Sequence, residues 1–237
     1  MKLITYNIRK GKGPSGRDVV DMERIGAAVR EQAADLLLCQ EVFHCARTGA
    51  SQSGGLADVL GFSSYYGANK YRSVGHHGNT TLTRLPVEHY ENHDISTNRI
   101  ERRGALYLRT FFEGRRLHVF NVHLGLNGFQ RATQVTKISA LIAELAAPDE
   151  PVILAGDFND WRQQLEQRMS GELGLRNALA TDLASAPKTW HAQRPMLPLD
   201  RIYLRHLRAR ASGCLDGDPW PGLSDHLPLF AELEPTW

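Results

Sequence analysis

Apolar residues in this chain come in short runs, and most of the runs stop abruptly on polar residues. Residues 3–8 form such a run and predict a first strand, followed by a Gly-rich loop over residues 11–16. Met22, Ile25 and Val29, with alanines nearby, recur at helical spacing and predict a helix over about residues 19–34. Residues 36–39 are wholly apolar and read as a short buried strand ending at Gln40-Glu41. Residues 49–55, rich in Ser and Gly, read as a flexible loop. A strand is predicted over residues 80–85, stopped by Pro86. Residues 105–112 and 117–124 flank Glu113-Gly114, the pattern of a hairpin. Val135, Ile138, Leu141, Ile142 and Leu145 mark a second amphipathic helix ending near Pro148. Residues 152–155 predict another buried strand, and 202–204 and 229–233 predict late ones. No repeat, low-complexity tract or linker interrupts the chain, so residues 1–237 predict a single α/β domain with mixed or antiparallel sheets.

Bulk composition narrows the function classes only slightly. With 42% hydrophobic and 23% charged residues the chain is an ordinary globular one, which excludes disorder. A formal charge of +2 is too small for a dominating basic field. No apolar stretch approaches the roughly 18 residues of a membrane span. The first residues enter a strand at once without a charged-then-apolar leader, so a cytoplasmic location is expected. Cys39, Cys45 and Cys214 lack C-x-x-C spacing, and Cys39, His44 and Cys45 are wrongly spaced for a common zinc site.

The polar residues that end the apolar runs change the picture. They are Asn7, Gln40-Glu41, Asn121-Val-His123, Gly156-Asp157-Phe-Asn159 and Ser224-Asp225-His226. Side chains two apart on a strand share a face, so Asn7 with Arg9, Asn121 with His123, and Asp157 with Asn159 form same-face pairs. Such strands side by side would gather all six side chains at one sheet rim. Taken singly, an Asp-x-Asn makes a turn through its own backbone and a strand His is an ordinary satisfied polar residue. The ordered set, with its acids, carboxamides and imidazoles, suits a magnesium-dependent phosphoester-cleaving site.

At this point the chain resembles the endonuclease/exonuclease/phosphatase superfamily. The resemblance is carried by Thr5-Tyr6-Asn7-Ile8, Gln40-Glu41, Asn121-Val-His123-Leu124, Gly156-Asp157-Phe158-Asn159, Leu199-Asp200-Arg201-Ile202 and Ser224-Asp225-His226-Leu-Pro228. Its members include deoxyribonuclease I, abasic-site endonucleases, neutral sphingomyelinases and inositol-polyphosphate 5-phosphatases. It implies a four-layer sandwich of two packed mixed sheets covered by helices, with the site at one end. It also implies Glu41 as principal ligand of Mg²⁺, for which Mn²⁺ would substitute, with Asn7 and Asp225 supporting the ion. Asp157 and Asn159 match the pair that positions the attacking water and the phosphate, His226 the catalytic imidazole, and Asp200 the acid that orients it.

Finer features separate the branches. Arg9, where abasic-site enzymes carry an acid, resembles deoxyribonuclease I, in which it would touch a substrate phosphate. His123 resembles the second imidazole of deoxyribonuclease I and the sphingomyelinases. Arg102 and Arg103 occupy a stretch where relatives place a phosphate-contacting Arg, and Gly75-His76-His77-Gly78-Asn79 is similar to the Gly-Asn step before a central strand in many family members, which implies that Asn79 bonds to catalytic groups. His76 and His77 read as loop residues, and Trp161 as a residue packed at the rim. The expected activity is therefore metal-dependent phosphodiester hydrolysis on DNA or RNA, in the manner of deoxyribonuclease I. A phospholipid headgroup or a small phosphoester is the alternative on the same core, and no protein partner or stable membrane insertion is implied.

Overall fold

A computed structural model describes residues 1–179 and 185–237. In chain order its elements are β1 (Lys2–Asn7), α1 (Met22–Glu31), β2 (Leu36–Cys45), α2 (Gln52–Leu60), β3 (Ser63–Arg72), β4 (Gly75–Thr83), β5 (Val87–Asp94) and β6 (Gly104–Phe112). They continue with β7 (Arg115–His123), α3 (Gly128–Leu145), β8 (Val152–Asp157), α4 (Glu166–Gly171), β9 (Arg176–Asn177), β10 (Asp200–Arg205), β11 (Leu207–Cys214) and β12 (Leu229–Pro235). The strands form two six-stranded sheets, ordered β11-β12-β1-β2-β4-β3 and β5-β6-β7-β8-β10-β9. In each sheet one central pair is parallel, β1 with β2 and β7 with β8, and the other pairings are antiparallel.

Strand parity builds the layers. Leu3, Leu36, Leu38, Leu117, Val119, Ile153, Ala155, Ile202 and Leu204 meet between the sheets in one buried cluster. Their neighbours of opposite parity face outward. Ile4, Tyr6, Leu37 and Cys39 pack with Ile25, Val29 and Leu56 from α1 and α2. Phe120, Val122, Leu154 and Tyr203 pack with Val135, Ile138, Ile142 and Met169 from α3 and α4. The central strands are apolar on both faces because both faces are covered. The result is the four-layer helix–sheet–sheet–helix sandwich.

Where the elements differ from the pattern, local chemistry explains it. The helix expected over residues 19–34 starts at Met22, because the Asp21 side chain caps it by accepting from Arg24 N; Val19 stands outside it, exposed. The loop expected over residues 49–55 is helical from Gln52, capped by Ser51 Oγ accepting from Gly54 N at 3.0 Å. α3 begins a full seven residues before Val135, where Asn127 and Gln130 form a capping box. β4 ends at Thr83 and begins at Gly75, so His76 and His77 are strand residues, not loop ones. β2 runs past Cys39 to Cys45 through a break in register between Cys39 and Val42. β3, β5 and β11 lie at or next to sheet edges and carry mixed polar faces, which hid them from an apolar-run criterion. The Glu113-Gly114 turn has both φ values positive, +48° and +79°, and closes the expected hairpin.

Candidate active site

The inward parity that makes the inter-sheet core continues onto polar residues at one end of the strands. Leu3 and Thr5 lead to Asn7, Leu36 and Leu38 to Gln40, Leu117 and Val119 to Asn121 and His123, and Ile153 and Ala155 to Asp157. β10 enters from the opposite direction, so Asp200 stands first and Ile202 and Leu204 follow; Asp200 is paired in register with Asp157. Gly156, next to Asp157, permits the close approach of β8 to β7. Its φ is +143°, and a Cβ there would run into the carbonyl oxygen of Val122 on β7.

At this floor His226 is fixed by two acids. Its Nδ1 lies 2.8 Å from Asp200 Oδ2, and its Nε2 lies 3.7 Å from Asp157 Oδ2. Thr189 Oγ1 donates to the same Asp200 oxygen at 2.5 Å. Burial alone would lower the His226 pKa, but Asp200 and Asp157 overcome it and hold the imidazole protonated, with a pKa of about 10. Burial raises the Asp157 carboxyl to about 6, opposed by His226. Asp157 Oδ2 also accepts from Asn7 Nδ2 at 3.1 Å and lies 3.4 Å from His123 Nε2. His123 is pushed well below its ordinary range by burial and by Arg103, so it is neutral. Two buried imidazoles therefore flank one carboxylate in opposite charge states.

Glu41 reaches the cavity through the irregularity in β2. With φ at +55° it interrupts the strand between Gln40 and Val42 and turns its carboxylate into the space lined by Asn7, His123, Asp157, Asn159 and His226. There Lys10 forms an ion pair with it. Glu41 is half-buried; burial raises its pKa, but Lys10 outweighs this and the net shift is downward. Asp225 meets Arg9 Nε at 3.3 Å and Trp190 Nε1 at 3.4 Å. Two consecutive basic residues thus cover the two acids that the resemblance assigns to the metal.

Several residues depart from the strand-pair reading. β1 ends at Asn7, and Arg9 lies in a 3-10 turn with φ +48°, so it does not share a strand face with Asn7. Its guanidinium donates to the carbonyls of Pro14 at 2.6 Å and Gly13 at 3.3 Å besides meeting Asp225, so it is committed within the protein. Asn121 is not at the rim. Its Oδ1 accepts from Gln40 Nε2 at 2.8 Å and its Nδ2 donates to Thr80 O at 2.8 Å and Cys39 O at 3.2 Å, tying one sheet to the other. Asn79 is likewise held away from the cavity, its amide donating to Gly104 O and Asn121 O. Asn159 lines the cavity with its backbone N–H on Asp157 Oδ1 and its Nδ2 on Leu124 O. Arg103 faces the cavity, whereas Arg102 lines only the neighbouring groove and lies 3.8 Å from Asp94. Trp161 is 45% exposed at the cavity mouth with Arg162 over its ring.

Sequence reasoning passed over Lys10 as a site residue, and Thr189 and Trp190 altogether. Thr189 and Trp190 lie in an irregular stretch whose only signal was polar residues near the Leu-Asp-Arg-Ile segment. Beside the cavity runs a groove of about 920 Å³. Seven basic side chains line it against the acids Glu41 and Glu101, giving a local positive field that the overall charge conceals. Asp157, Asp200 and His226 also place one ligand atom each within 4.8 Å of one another, a cluster able to hold a metal ion.

Comparison with known proteins agrees with this geometry. The chain is 38% identical to the uncharacterized protein YbhP of Escherichia coli K12, across 98% of this chain and 95% of that one. An endonuclease/exonuclease/phosphatase from Bacteroides vulgatus superposes with a TM-score of 0.81 at 19% identity, covering 99% of this chain and 98% of that one. A mannosyl-6-phosphatase from Bacteroides thetaiotaomicron superposes with a TM-score of 0.75 at 17% identity, covering 99% of each chain. The model of the endonuclease/exonuclease/phosphatase family matches residues 4–226, which include every strand end of the floor, and the chain belongs to that family of phosphoester hydrolases.

Proposed function

We propose that this chain is a divalent-metal-dependent phosphodiesterase. The observation that carries the reading is the Asp200–His226–Asp157–His123 alignment at a cavity that adjoins a basic groove, with one imidazole charged and the other neutral. A phosphodiester is anionic and repels a nucleophile, so positive charge must face the phosphoryl oxygens as the attack proceeds. Asp157, with its carboxyl near neutrality, accepts the proton of the attacking water while Asn7 and Asn159 fix the position of the carboxylate. Water oxygen bonds to phosphorus and the ester P–O bond breaks. His226 offers the proton on Nε2, the nitrogen not engaged by Asp200, to the oxygen that develops charge. Neutral His123 and Arg103 complete the cavity wall.

The donor set fits a hard divalent cation at Glu41. Its half-buried carboxylate already draws a cation, the Lys10 ammonium, and it faces the cavity. Asp200 is less suited, because one of its oxygens is taken by Thr189 and His226. Glu41 would hold the ion, with Asn7 and Asp225 in support, and the bound ion supplies Lewis-acid neutralisation of a phosphoryl oxygen.

Two substrate classes suit the core. Nucleic acid is supported by the groove cations, Lys12 among them, although Arg9, the other argument for it, is committed to protein groups. A phospholipid headgroup is favoured by the exposed aliphatic side chains of Val74, Ile100 and Leu126 that line the groove. The test is hydrolysis of bis(p-nitrophenyl) phosphate by purified protein with Mg²⁺ or Mn²⁺, alongside nicking of supercoiled plasmid and headgroup release from phospholipid vesicles. We expect EDTA to abolish cleavage and His226→Ala to lower it on the order of 10²–10⁴-fold. A folded wild-type protein that cleaves none of the three with either metal sinks the proposal.

A further inference from the structure

The catalytic cavity and the basic groove share Glu41, Arg103 and Leu126 and open as one mouth. Four large apolar side chains stand in water around it: Ile100 is 84% exposed, Leu126 71%, Val74 47% and Trp161 45%. They come from separate connections. Val74 lies between β3 and β4, Ile100 between β5 and β6, Leu126 between β7 and α3, and Trp161 beyond β8. No single amphipathic element presents them, and only the fold brings them together. An isolated exposed apolar residue is unremarkable, but several converging on a functional mouth mark a surface that is covered in use.

Cations are interleaved with these tips. Lys12, Arg47, Lys70 and Arg72 line the same groove, and none of the four forms an ion pair among the described residues. Their charge is therefore available to an external anion. Resting on the phosphodiesterase reading, we propose that this mouth docks on the surface of a bilayer containing anionic phospholipid, presenting a headgroup phosphodiester to the catalytic floor. The aliphatic tips enter the boundary between headgroups and acyl chains while the cations stay at headgroup level, the two signals that together give reversible membrane binding. Docking is peripheral, because no helix among the described residues is long and apolar enough to cross a membrane. Single-stranded nucleic acid shares the charge requirement but calls for flat aromatic faces on which bases stack. The two most exposed tips, Ile100 and Leu126, have no such face.

The experiment is co-sedimentation of the full chain with vesicles in EDTA, where no turnover occurs. The vesicles are phosphatidylcholine alone or phosphatidylcholine mixed with phosphatidylglycerol. We expect partition onto the anionic vesicles about tenfold or more above partition onto the neutral ones, falling as salt rises. Val74→Ser combined with Ile100→Ser should lose this binding, and Lys70→Gln combined with Arg72→Gln should weaken it, with circular dichroism reporting folding in each. Wild-type protein left in the supernatant, equal binding to both vesicle types, or wild-type binding by both folded double variants overturns the proposal. Binding of a single-stranded oligonucleotide in EDTA with vesicles ignored would assign the mouth to nucleic acid instead. Cleavage of the soluble diester reports on the reaction separately, so docking and catalysis can fail independently.

Discussion

The floor of the cleft and its mouth are built on opposite principles. Asp157, Asp200 and His226 are almost wholly buried, and each is held by named partners, so their positions are fixed before any substrate arrives. Ile100 and Leu126 at the mouth are mostly exposed, and the groove cations Lys70 and Arg72 form no ion pair among the described residues. The floor extends the inter-sheet layer, so the same parity that packs the core aims the polar groups of the floor. The mouth is made of connections, which the core does not constrain. One region carries a reaction that needs preorganised charge, and the other is left to select what enters.

Breaking the inter-sheet layer from which the floor extends should therefore cost folding. Asn121→Ala removes the clasp between the sheets and leaves Gln40 and the carbonyl of Thr80 short of partners in the core. Urea denaturation should show a loss on the order of 3 kcal/mol. A variant within experimental error of the wild type would mean the sheets are held by apolar packing alone.

A smaller effect should appear in the pH dependence of stability. Asp157 and His226 both have pKa values raised in the folded state, so the folded chain binds more protons than the unfolded one. Stability is then greatest at the acid side of each window. It falls as pH rises from the unfolded carboxyl value to about 6 for Asp157, and from the unfolded imidazole value to about 10 for His226. Asp200→Asn takes away a principal charge that keeps His226 protonated and should flatten the second window by roughly 2 kcal/mol. Parallel urea midpoints for wild type and variant across neutral to alkaline pH would refute the pairing.

The smallest effect lies where the two regions meet. Lys10 belongs to the groove but pairs with Glu41 on the floor. Removing its ammonium in Lys10→Gln should tighten Mn²⁺ binding by up to about fivefold in a calorimetric titration, because a partly exposed ion pair contributes little. Unchanged or weaker binding would show that Lys10 does not compete with the cation.

Much of the floor was legible in sequence because strand periodicity links core residues to the polar residues that follow them. Leu3-x-Thr5-x-Asn7 and Ile153-x-Ala155-x-Asp157 each carry the inward face to the sheet end, and the sequence shows it as an apolar run stopped by a polar residue. The same logic failed for Arg9, since the chain leaves β1 at Asn7 and alternation no longer applies. It also failed to separate Asn121 from His123. They share a parity, yet one lies deeper between the sheets and the other opens on the cavity, and depth along a strand depends on where the partner sheet ends.

By itself, then, the sequence determined an α/β domain of mixed sheets through local alternation, and the family, with the four-layer sandwich it implies, through short motifs that resemble that family. Only the tertiary structure decided that Lys10 covers Glu41, that Thr189 supports Asp200, that Asn121 joins the sheets, and that the connections carrying Val74, Ile100, Leu126 and Trp161 converge. These contacts span residues far apart in the chain, and no local pattern of apolar and polar positions encodes which loops will meet. Packing of the two sheets sets that distance.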